Sequence, residues 1–365
     1  MAPRRPRQPP ELMAELIEEI LLRVPPHHPT CLARATVVCK PWRRLLSDPA
    51  FRSRYCAFHR HQARPLLGFL HNHNTGGAVT VPRFVPTATP SLFPQRALDG
   101  CDGWCVLDCR HGRVLFDVPG ESVNLVVWDP ATGKRQELPE PRISHGRYTA
   151  AVLCAVHGCD HLCCHGGLFL VVLVGFNMQP HLYSSEAGIW TASADLGHRP
   201  GYLTTRRPTA LIGDDIYFVL VPWHRVLRYN LGKNCSSIIN PPAAHEIHGG
   251  VALMPMEDGT LGFAGLIYSK LYLWSRNVDP EVVAEWVQFR VIELRTLIPF
   301  ASTIEVVGSV EGSGAIFVST DVGVFTIELK SGRKKKVGEP GEYFAVFSFM
   351  SSFYIPGILL AFSLE

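Results

Sequence analysis

A glycine recurs about every fifty residues in this chain, each time just before an apolar run, and this repeat constrains the fold more than any other feature. The separations between successive glycines are 54, 47, 46 and 55 residues. Four-stranded blades of β-propellers repeat at this length, with tight turns between their strands. We therefore expect a β-propeller rather than a sandwich. The pairs are Gly112 before residues 114–116, Gly166 before 168–174, Gly213 before 216–220, Gly259 before 261–267 and Gly314 before 316–318.

Each repeat shows the same order of strand, glycine turn, apolar strand, loop, third strand, turn and final strand. The predicted strands are residues 104–109, 113–118, 125–128 and 136–138 in the first unit, and 209–212, 216–221, 226–230 and 236–239 in the third. Five units fill residues 98–338. The apolar runs left over, at 66–70, 343–349 and 358–362, are expected to pair as a sixth blade, because closing the ring hides sheet edges that invite aggregation.

The first sixty or so residues show helical periodicity instead. Between residues 11 and 24, apolar side chains form two adjacent lines at helical spacing: Leu12, Leu16 and Ile20, and Met13, Ile17, Leu21 and Val24. Pro25, Pro26 and Pro29 end this helix, shorter helical patterns follow at 30–38 and 39–47, and Asp48 with Pro49 predicts the capped start of a fourth helix. The expected fold class is an α+β multidomain chain with a disordered basic tail (1–9), a small all-α domain (10–58), a linker (59–65) and an all-β propeller of six blades (66–365).

The helical region is too short to cover all of its own apolar surface, because small domains leave a large share of their surface exposed. Two arrangements satisfy this requirement. The exposed stripe packs on the rest of its own chain, or it binds another protein.

Two segments of the helical region resemble an F-box of the plant type. They are Glu-Leu-Met-Ala-Glu-Leu-Ile-Glu-Glu-Ile-Leu-Leu-Arg-Val-Pro at residues 11–25 and Cys-Leu-Ala-Arg-Ala-Thr-Val-Val-Cys-Lys-Pro-Trp-Arg-Arg-Leu-Leu-Ser-Asp-Pro-Ala-Phe at 31–51. The stretches that are characteristic of the family occur in its order and spacing. One departure is Leu12-Met13, which stands where the family commonly has Leu-Pro. Residues 127–133, Val-Trp-Asp-Pro-Ala-Thr-Gly, resemble a turn of F-box-associated domains, with Asp129 in place of asparagine.

The resemblance implies the non-catalytic substrate-recognition subunit of an SCF-type E3 ubiquitin ligase. Such a subunit binds a Skp-type adaptor, and through it cullin and RING subunits, while its second domain holds a target protein whose identity the sequence does not reveal. The positions that match the family's adaptor-binding pattern are Leu12, Leu16, Ile20, Leu21, Val24, Pro25, Leu32, Val37, Cys39, Trp42 and Leu45.

The target-binding surface is expected on one face of the propeller, where the loops between second and third strands emerge. The blade alignment places residues 119–124, 178–181, 223–225, 268–269 and 321–323 there. Trp and Arg often dominate interface energies, so the candidate contacts are His181, Trp223, His224 and Arg225. The alternative is that Trp223 folds back over its own blade.

Residues 154–165 contain enough soft ligands for a zinc ion: Cys154, His157, Cys159, His161, Cys163, Cys164 and His165. Cys154, His157, Cys159 and Cys163 are the metal candidates, and a zinc-stabilised binding protein is one alternative function. Because the spacing matches no established zinc finger, the favoured interpretation is a reduced loop without metal. We expect no cofactor.

An enzyme is the rival class of function, for example a hydrolase acting at the mouth of the propeller channel. The sequence offers no Gly-x-Ser-x-Gly or His-Glu-x-x-His motif, and no Lys-Ser or Lys-Thr follows the glycines at 308–314. Asp214 and Asp215 could suggest a pair of catalytic acids, but they follow Gly213 and precede an apolar strand, which is ordinary turn chemistry. The sequence therefore indicates a binding protein.

Charge and cysteine content narrow the partners and the compartment. The net charge of +3 has no long block of one sign, which argues against nucleic acid or an anionic membrane as a partner. No apolar run approaches the roughly 20 residues that cross a bilayer. An odd number of cysteines, 11, without an export signal predicts reduced thiols and a cytoplasmic and/or nuclear location.

Overall fold

The computed structural model of the protein describes residues 13–62, 64–75, 79–87, 91–143, 146–156, 159, 161, 164, 166–193, 203–204, 206–242, 246–277, 284–351 and 353. Within these ranges the chain forms four N-terminal helices and then strands arranged in six sheets. None of the described helices is long and apolar enough to span a membrane.

The four helices are α1 (Ala14–Leu22), α2 (Pro29–Ala35), α3 (Lys40–Ser47) and α4 (Pro49–Phe58). The carboxylate of Asp48 caps α4 by accepting a hydrogen bond from Ala50 N at 2.9 Å, as the sequence predicts. Pro29 corrects one expectation, because it opens α2 rather than ending α1. A proline is favourable in the first turn of a helix, where its missing N–H has no partner to lose.

A compact apolar core joins the helices. Its described members include Leu22, Leu46, Phe51 and Tyr55. The Tyr55 hydroxyl donates a hydrogen bond to Val24 O at 2.5 Å, which ties α4 to the end of α1. Phe353, from the opposite end of the chain, fills the same core.

In the described part of the chain, 24 strands follow the helices. Five sheets are built from consecutive strands, although in one of them β11 and β12 both pair with β13, and the sixth sheet combines the first two strands with the last. The strands are β1 (Leu66–Asn74), β2 (Thr80–Pro86), β3 (Cys105–Arg110), β4 (Arg113–Val118), β5 (Asn124–Trp128), β6 (Arg135–Glu137), β7 (Thr149–Cys154), β8 (Phe169–Val174), β9 (Pro180–Ser184), β10 (Ile189–Ala192), β11 (Leu203–Thr204), β12 (Ala210–Ile212), β13 (Asp215–Val221), β14 (Arg225–Asn230), β15 (Cys235–Ile239), β16 (Val251–Pro255), β17 (Leu261–Ile267), β18 (Lys270–Arg276), β19 (Trp286–Glu293), β20 (Ile304–Val310), β21 (Ala315–Thr320), β22 (Gly323–Glu328), β23 (Lys334–Gly338) and β24 (Val346–Met350).

The sheets form a six-bladed propeller, as the sequence predicts. The innermost strands of most neighbouring sheets contact one another, for example β3 with β7, β16 with β20 and β20 with β24, and an apolar cluster fills each of the six spaces between adjacent sheets. Successive residues of one strand contribute to different clusters; Val106 packs toward one neighbouring sheet and Leu107 toward the other. Each sheet is therefore buried on both faces, which explains why its strands are continuous apolar runs.

The five repeated glycines all lie in the left-handed region, with φ between 56° and 78°. Each occupies the turn between the first and second strand of its blade, except that Gly166 ends a longer connection. Residues with a Cβ rarely adopt this conformation. The sequence repeat is therefore a repeat of one turn geometry.

β24 closes the ring by pairing antiparallel with β1, with Leu66 opposite Met350 and His71 opposite Val346. This confirms the predicted sixth blade for the described strands, while residues 358–362 lie outside the described residues. β2 forms the outer strand of this sheet and was not foreseen, because Pro82 and Pro86 are atypical of a paired strand. Prolines are tolerated at a sheet edge, where their missing N–H leaves no ladder bond unmade.

The propeller has two faces, which we define by their turns. The upper face carries the turns between second and third strands, and the lower face carries the turns between first and second strands. The β1–β2 turn lies on the upper face, so β1 starts at the lower face, and β24 ends there because it pairs antiparallel with β1, with Met350 opposite Leu66. The F-box-like helices precede β1 and take up Phe353 just after β24, so the helical domain adjoins the lower face.

Candidate functional site

The helical domain exposes an apolar face on α1. Leu16 is 46% exposed and Ile20 is 53% exposed, and Met13 at the start of the helix is also exposed. Because these residues are three and four positions apart, they lie on the same side of the helix. Val37 and Val38, just after α2, are exposed as well. Several large aliphatic side chains left in water within one small domain indicate a binding surface.

The predicted adaptor-binding residues divide according to their burial. Leu16, Ile20 and Val37 are exposed, and a half-buried group comprises Val24, Pro25, Cys39, Trp42 and Leu45. Leu12 lies outside the described residues. Leu21 and Leu32 are only 3% and 2% exposed because they fill the core of the helical domain, and their role in adaptor binding stays a prediction. The prediction omitted Met13, although the helical periodicity of α1 placed it on the apolar stripe. No feature of the sequence indicated that Val38 would be exposed.

On the upper face, the turn between β13 and β14 presents Trp223. Its side chain is 51% exposed, so it does not fold back to become buried against its own blade. Trp223 and His224 have φ values of 68° and 53°, a conformation that is rare for bulky residues and is often stored at functional sites. His224 is half-buried, and burial together with nearby Arg207 lowers the pKa of its imidazole. Arg225 begins β14 and is half-buried.

The corresponding turn of the next blade presents a second aromatic residue, Tyr268, which is 83% exposed and has a φ of 57°. Its ring lies 6.2 Å from that of His248, centroid to centroid. The prediction placed this turn on the correct face but did not single out the tyrosine. The sequence feature that could have indicated an exposed aromatic residue here is a tyrosine directly before a serine in a two-residue turn.

His181 does not belong to the exposed surface. It lies within β9, paired between Leu173 and Ala192, and it is 7% exposed. Burial lowers the pKa of its imidazole. The loop between β8 and β9 ends two residues earlier than the blade alignment placed it, so His181 lies inside the sheet, and its contact with a target stays a prediction.

The centre of the propeller contains charged side chains that the sequence analysis did not identify. Asp108 Oδ2 accepts a hydrogen bond from Val152 N at 3.0 Å, and Arg110 donates one to Thr209 O at 2.7 Å. Glu311 lies 3.6 Å from Arg110 Nε. Burial raises the pKa of Asp108 to about 6. The bond from Asp108 joins two neighbouring blades, and the contacts of Arg110 join blades that are not neighbours. The cavity beside these residues measures about 20 Å³, which is room for about one water molecule.

A compact cluster of sulfur and nitrogen ligands lies between β7 and β8, on the lower face. The ligand atoms of Cys154, Cys159, His161 and Cys164 all lie within 4.8 Å of one another. Of the predicted metal candidates, Cys154 and Cys159 are in this cluster, while His157 and Cys163 lie outside the described residues. His161 and Cys164 complete the group, although the sequence alone gave no reason to prefer them.

Most cysteines with a described environment carry free thiols, nine in number. Cys56 in α4 is disulfide-bonded, which departs from the expectation of reduced thiols throughout. That expectation followed from the odd cysteine count, which does not exclude a single bridge.

The comparisons with known proteins concern the helices and the propeller separately. The F-box domain profile matches residues 11–54. An Arabidopsis thaliana protein named as an F-box protein is 31% identical over 142 residues, which cover 37% of this chain and 38% of that protein. The match therefore spans well under half of the length of the relative.

Several solved structures share a similar chain path at low identity. A chain of a nidogen/laminin complex has a TM-score of 0.44 at 10% identity and covers 77% of this chain and 98% of its own. A virginiamycin B lyase from Staphylococcus aureus has a TM-score of 0.40 at 11% identity, covering 80% and 95%. Similarity at this level implies neither ligand nor activity. The chain therefore contains an F-box domain at residues 11–54, which a six-bladed propeller follows, and part of it is similar to an F-box protein of Arabidopsis.

Proposed function

We propose that this chain is the substrate-recognition subunit of an SCF-type E3 ubiquitin ligase. Its F-box docks on a Skp-type adaptor, which links it to cullin and RING subunits, and its propeller holds the target protein. The chain then contributes no catalytic step of its own. It raises the effective concentration of target lysines near a ubiquitin-charged enzyme held elsewhere in the ligase.

The observation that carries this proposal is the exposed apolar face of α1 within a matched F-box domain. Leu16 and Ile20 are neighbours on the helix surface and point away from the core that holds Leu21 and Leu22. Glu19 and Arg23 form an ion pair beside them, with Glu19 Oε1 2.5 Å from Arg23 Nη1. An apolar centre with a charged rim is the usual composition of a protein-binding surface.

The arrangement of the two domains supports target binding on the upper face. The helical domain adjoins the lower face, where it shares Phe353 with the end of the propeller. The exposed aromatic residues Trp223 and Tyr268 lie on the other face. A target bound there would not compete with the adaptor for space, because the two surfaces belong to different domains.

The centre of the propeller supports a non-catalytic role. Asp108, Arg110 and Glu311 are engaged with backbone groups or with each other across the axis. The cavity of about 20 Å³ beside them is far smaller than the roughly 300–1,000 Å³ of small-molecule sites. A substrate therefore has no room at this point of the channel.

The proposal includes a cytoplasmic and/or nuclear location. The nine free thiols fit a reducing compartment, with Cys56 as the exception.

Titration of a Skp-type adaptor against the full chain tests the proposal. Leu16→Ala combined with Ile20→Ala removes two exposed apolar side chains, and we expect about 2 kcal/mol of binding free energy to be lost, or roughly a 30-fold rise in Kd. The matched control is Ile189→Ala with Val287→Ala, two equally exposed apolar residues on outer strands of the propeller. An unchanged Kd for a folded Leu16/Ile20 variant, or an equal loss in the control, contradicts the assignment.

A further inference from the structure

We propose that Cys154, Cys159, His161 and Cys164 bind one structural zinc ion at the lower face of the propeller. The four residues follow the pattern Cys-x4-Cys-x-His-x2-Cys and connect the first two strands of the second blade, β7 and β8. Three thiolates and one imidazole are a ligand set typical of closed, structural zinc sites.

The distances between the ligand atoms are close to those of a zinc tetrahedron. With Zn–S bonds of about 2.3 Å, the sulfur atoms of a tetrahedral site are separated by roughly 3.8 Å. Cys159 Sγ lies 3.3 Å from Cys164 Sγ, and Cys164 Sγ lies 3.4 Å from His161 Nδ1. The largest separation in the group is below 4.8 Å. Movements of about 1 Å would therefore bring all four atoms onto one ion.

The neighbouring blade holds both ends of the connection in place. At its start, Cys154 N donates a hydrogen bond to His111 Nδ1 at 3.0 Å. At its end, Gly166 N donates to Asp129 Oδ2 at 3.0 Å, and Arg113 Nη2 donates to Gly167 O at 2.7 Å. The ligands are thus carried by a connection that is fixed at both ends rather than by a free loop.

The environment of His161 orients its ring. The His161 ring stacks on that of His111, with centroids 4.0 Å apart and an angle of 10° between the planes. His111 Nδ1 accepts from Cys154 N, so the proton of its neutral ring is on Nε2, which lies 3.8 Å from Glu311 Oε1. Outer residues that fix the ring orientation of a histidine ligand are a regular feature of zinc sites.

Zinc binding at this site releases protons to solvent. Each of the three thiols loses its proton as a Zn–S bond forms, and neutral His161 donates a lone pair from Nδ1, so the loaded site has a net charge of −1. Arg64 lies beside it and donates a hydrogen bond from Nη1 to His161 O at 3.2 Å. Arg64 belongs to the segment between the helical domain and β1. The ion would therefore fix the lower face at the point where the two domains join.

The test measures the metal content of the full chain, expressed with zinc and purified under reducing conditions. Native mass spectrometry and elemental analysis should find one zinc per chain. Cobalt(II) added to the metal-free chain should produce thiolate-to-cobalt charge-transfer absorption together with visible bands of a tetrahedral site. Cys159→Ser and His161→Ala should each lose the stoichiometric zinc.

The control variant is Cys235→Ser, which removes an exposed thiol on another blade and should keep a full equivalent of zinc. His111→Asn leaves all four ligands in place but removes the stacked ring, and we expect it to weaken zinc retention against a chelator by roughly 10-fold. Wild-type protein that contains no zinc and develops no cobalt spectrum overturns the proposal. A disulfide between Cys159 and Cys164 in the reduced preparation, or zinc loss in Cys235→Ser equal to that in Cys159→Ser, overturns it as well.

Discussion

The ring of Phe353 meets the ring of Tyr55 edge to face, with centroids 5.3 Å apart and planes at 68°. Phe353 follows the last strand of the propeller, and Tyr55 lies in the last helix of the F-box domain. Phe51 also contacts the Phe353 ring, at 6.4 Å between centroids. The chain therefore returns from the propeller to complete the core of its own N-terminal domain.

Phe353→Ala should destabilise the helical domain by about 3 kcal/mol. The side chain is buried and packs against two aromatic rings, and truncating a buried phenylalanine removes its transfer free energy and leaves a cavity. Urea unfolding followed by helical circular dichroism measures the loss. Phe344→Ala, at an exposed phenylalanine nearby in the sequence, should cost under about 0.5 kcal/mol. Equal stability of the two variants would show that the Phe353 contact contributes little.

Trp223→Ala should weaken target capture by about 1–2 kcal/mol while leaving adaptor binding unchanged. Because the Trp223 side chain is half exposed, its removal should alter the stability of the propeller by less than about 0.5 kcal/mol. Crosslinking followed by mass spectrometry compares the partners of the variant with those of Lys233→Ala, an exposed residue in a turn on the lower face. If the lysine variant loses the target and the tryptophan variant keeps it, the upper face is not the binding surface.

The stability of the propeller should fall as the pH is lowered from 6.5 to about 4, because of His71. Burial, with smaller contributions from His73 and Arg83, lowers the pKa of His71 from 6.5 to about 4. The unfolded chain takes up a proton near pH 6.5, whereas the folded protein takes it up only near pH 4. Within this window the unfolded state binds more protons, so acid favours unfolding, by up to about 3 kcal/mol.

His71→Phe should remove this part of the acid sensitivity, because it keeps a ring against Tyr343, whose centroid is 4.5 Å from that of His71. Urea midpoints at several pH values measure the difference between wild type and variant. Asp108, whose buried carboxyl has a raised pKa of about 6, acts in the opposite direction. Its effect is common to both proteins and cancels in the difference. Parallel pH profiles would mean that His71 is not the responsible group.

Much of the fold was predictable from the sequence because its signals are local. Gly112 and the four equivalent glycines indicate a turn that needs a positive φ, and an apolar run after each one indicates a strand buried on both faces. Asp48 followed by Pro49 predicts a helix start in the same way, since the cap and the first turn involve neighbouring residues. For these features the chemistry of a few adjacent residues is sufficient.

The separation of core from surface within α1 required the tertiary structure. Leu16, Ile20 and Leu21 all fit one wide apolar stripe, and only the packing of the other helices buries Leu21 while leaving the other two exposed. His181 was misplaced for a similar reason. A shift of one or two residues at a strand end decides whether a side chain enters a sheet or a loop, and pairing with Leu173 places His181 in the sheet.

The sequence by itself determined that this protein has an F-box followed by repeated β-blades, because both depend on short-range patterns. Only the tertiary structure decided which distant groups meet. Phe353 reaches Tyr55, β24 pairs with β1, and Cys154 joins His161 and Cys164 within a space small enough for one ion. Such contacts depend on how the chain closes on itself, and closing long loops leaves no mark in local periodicity.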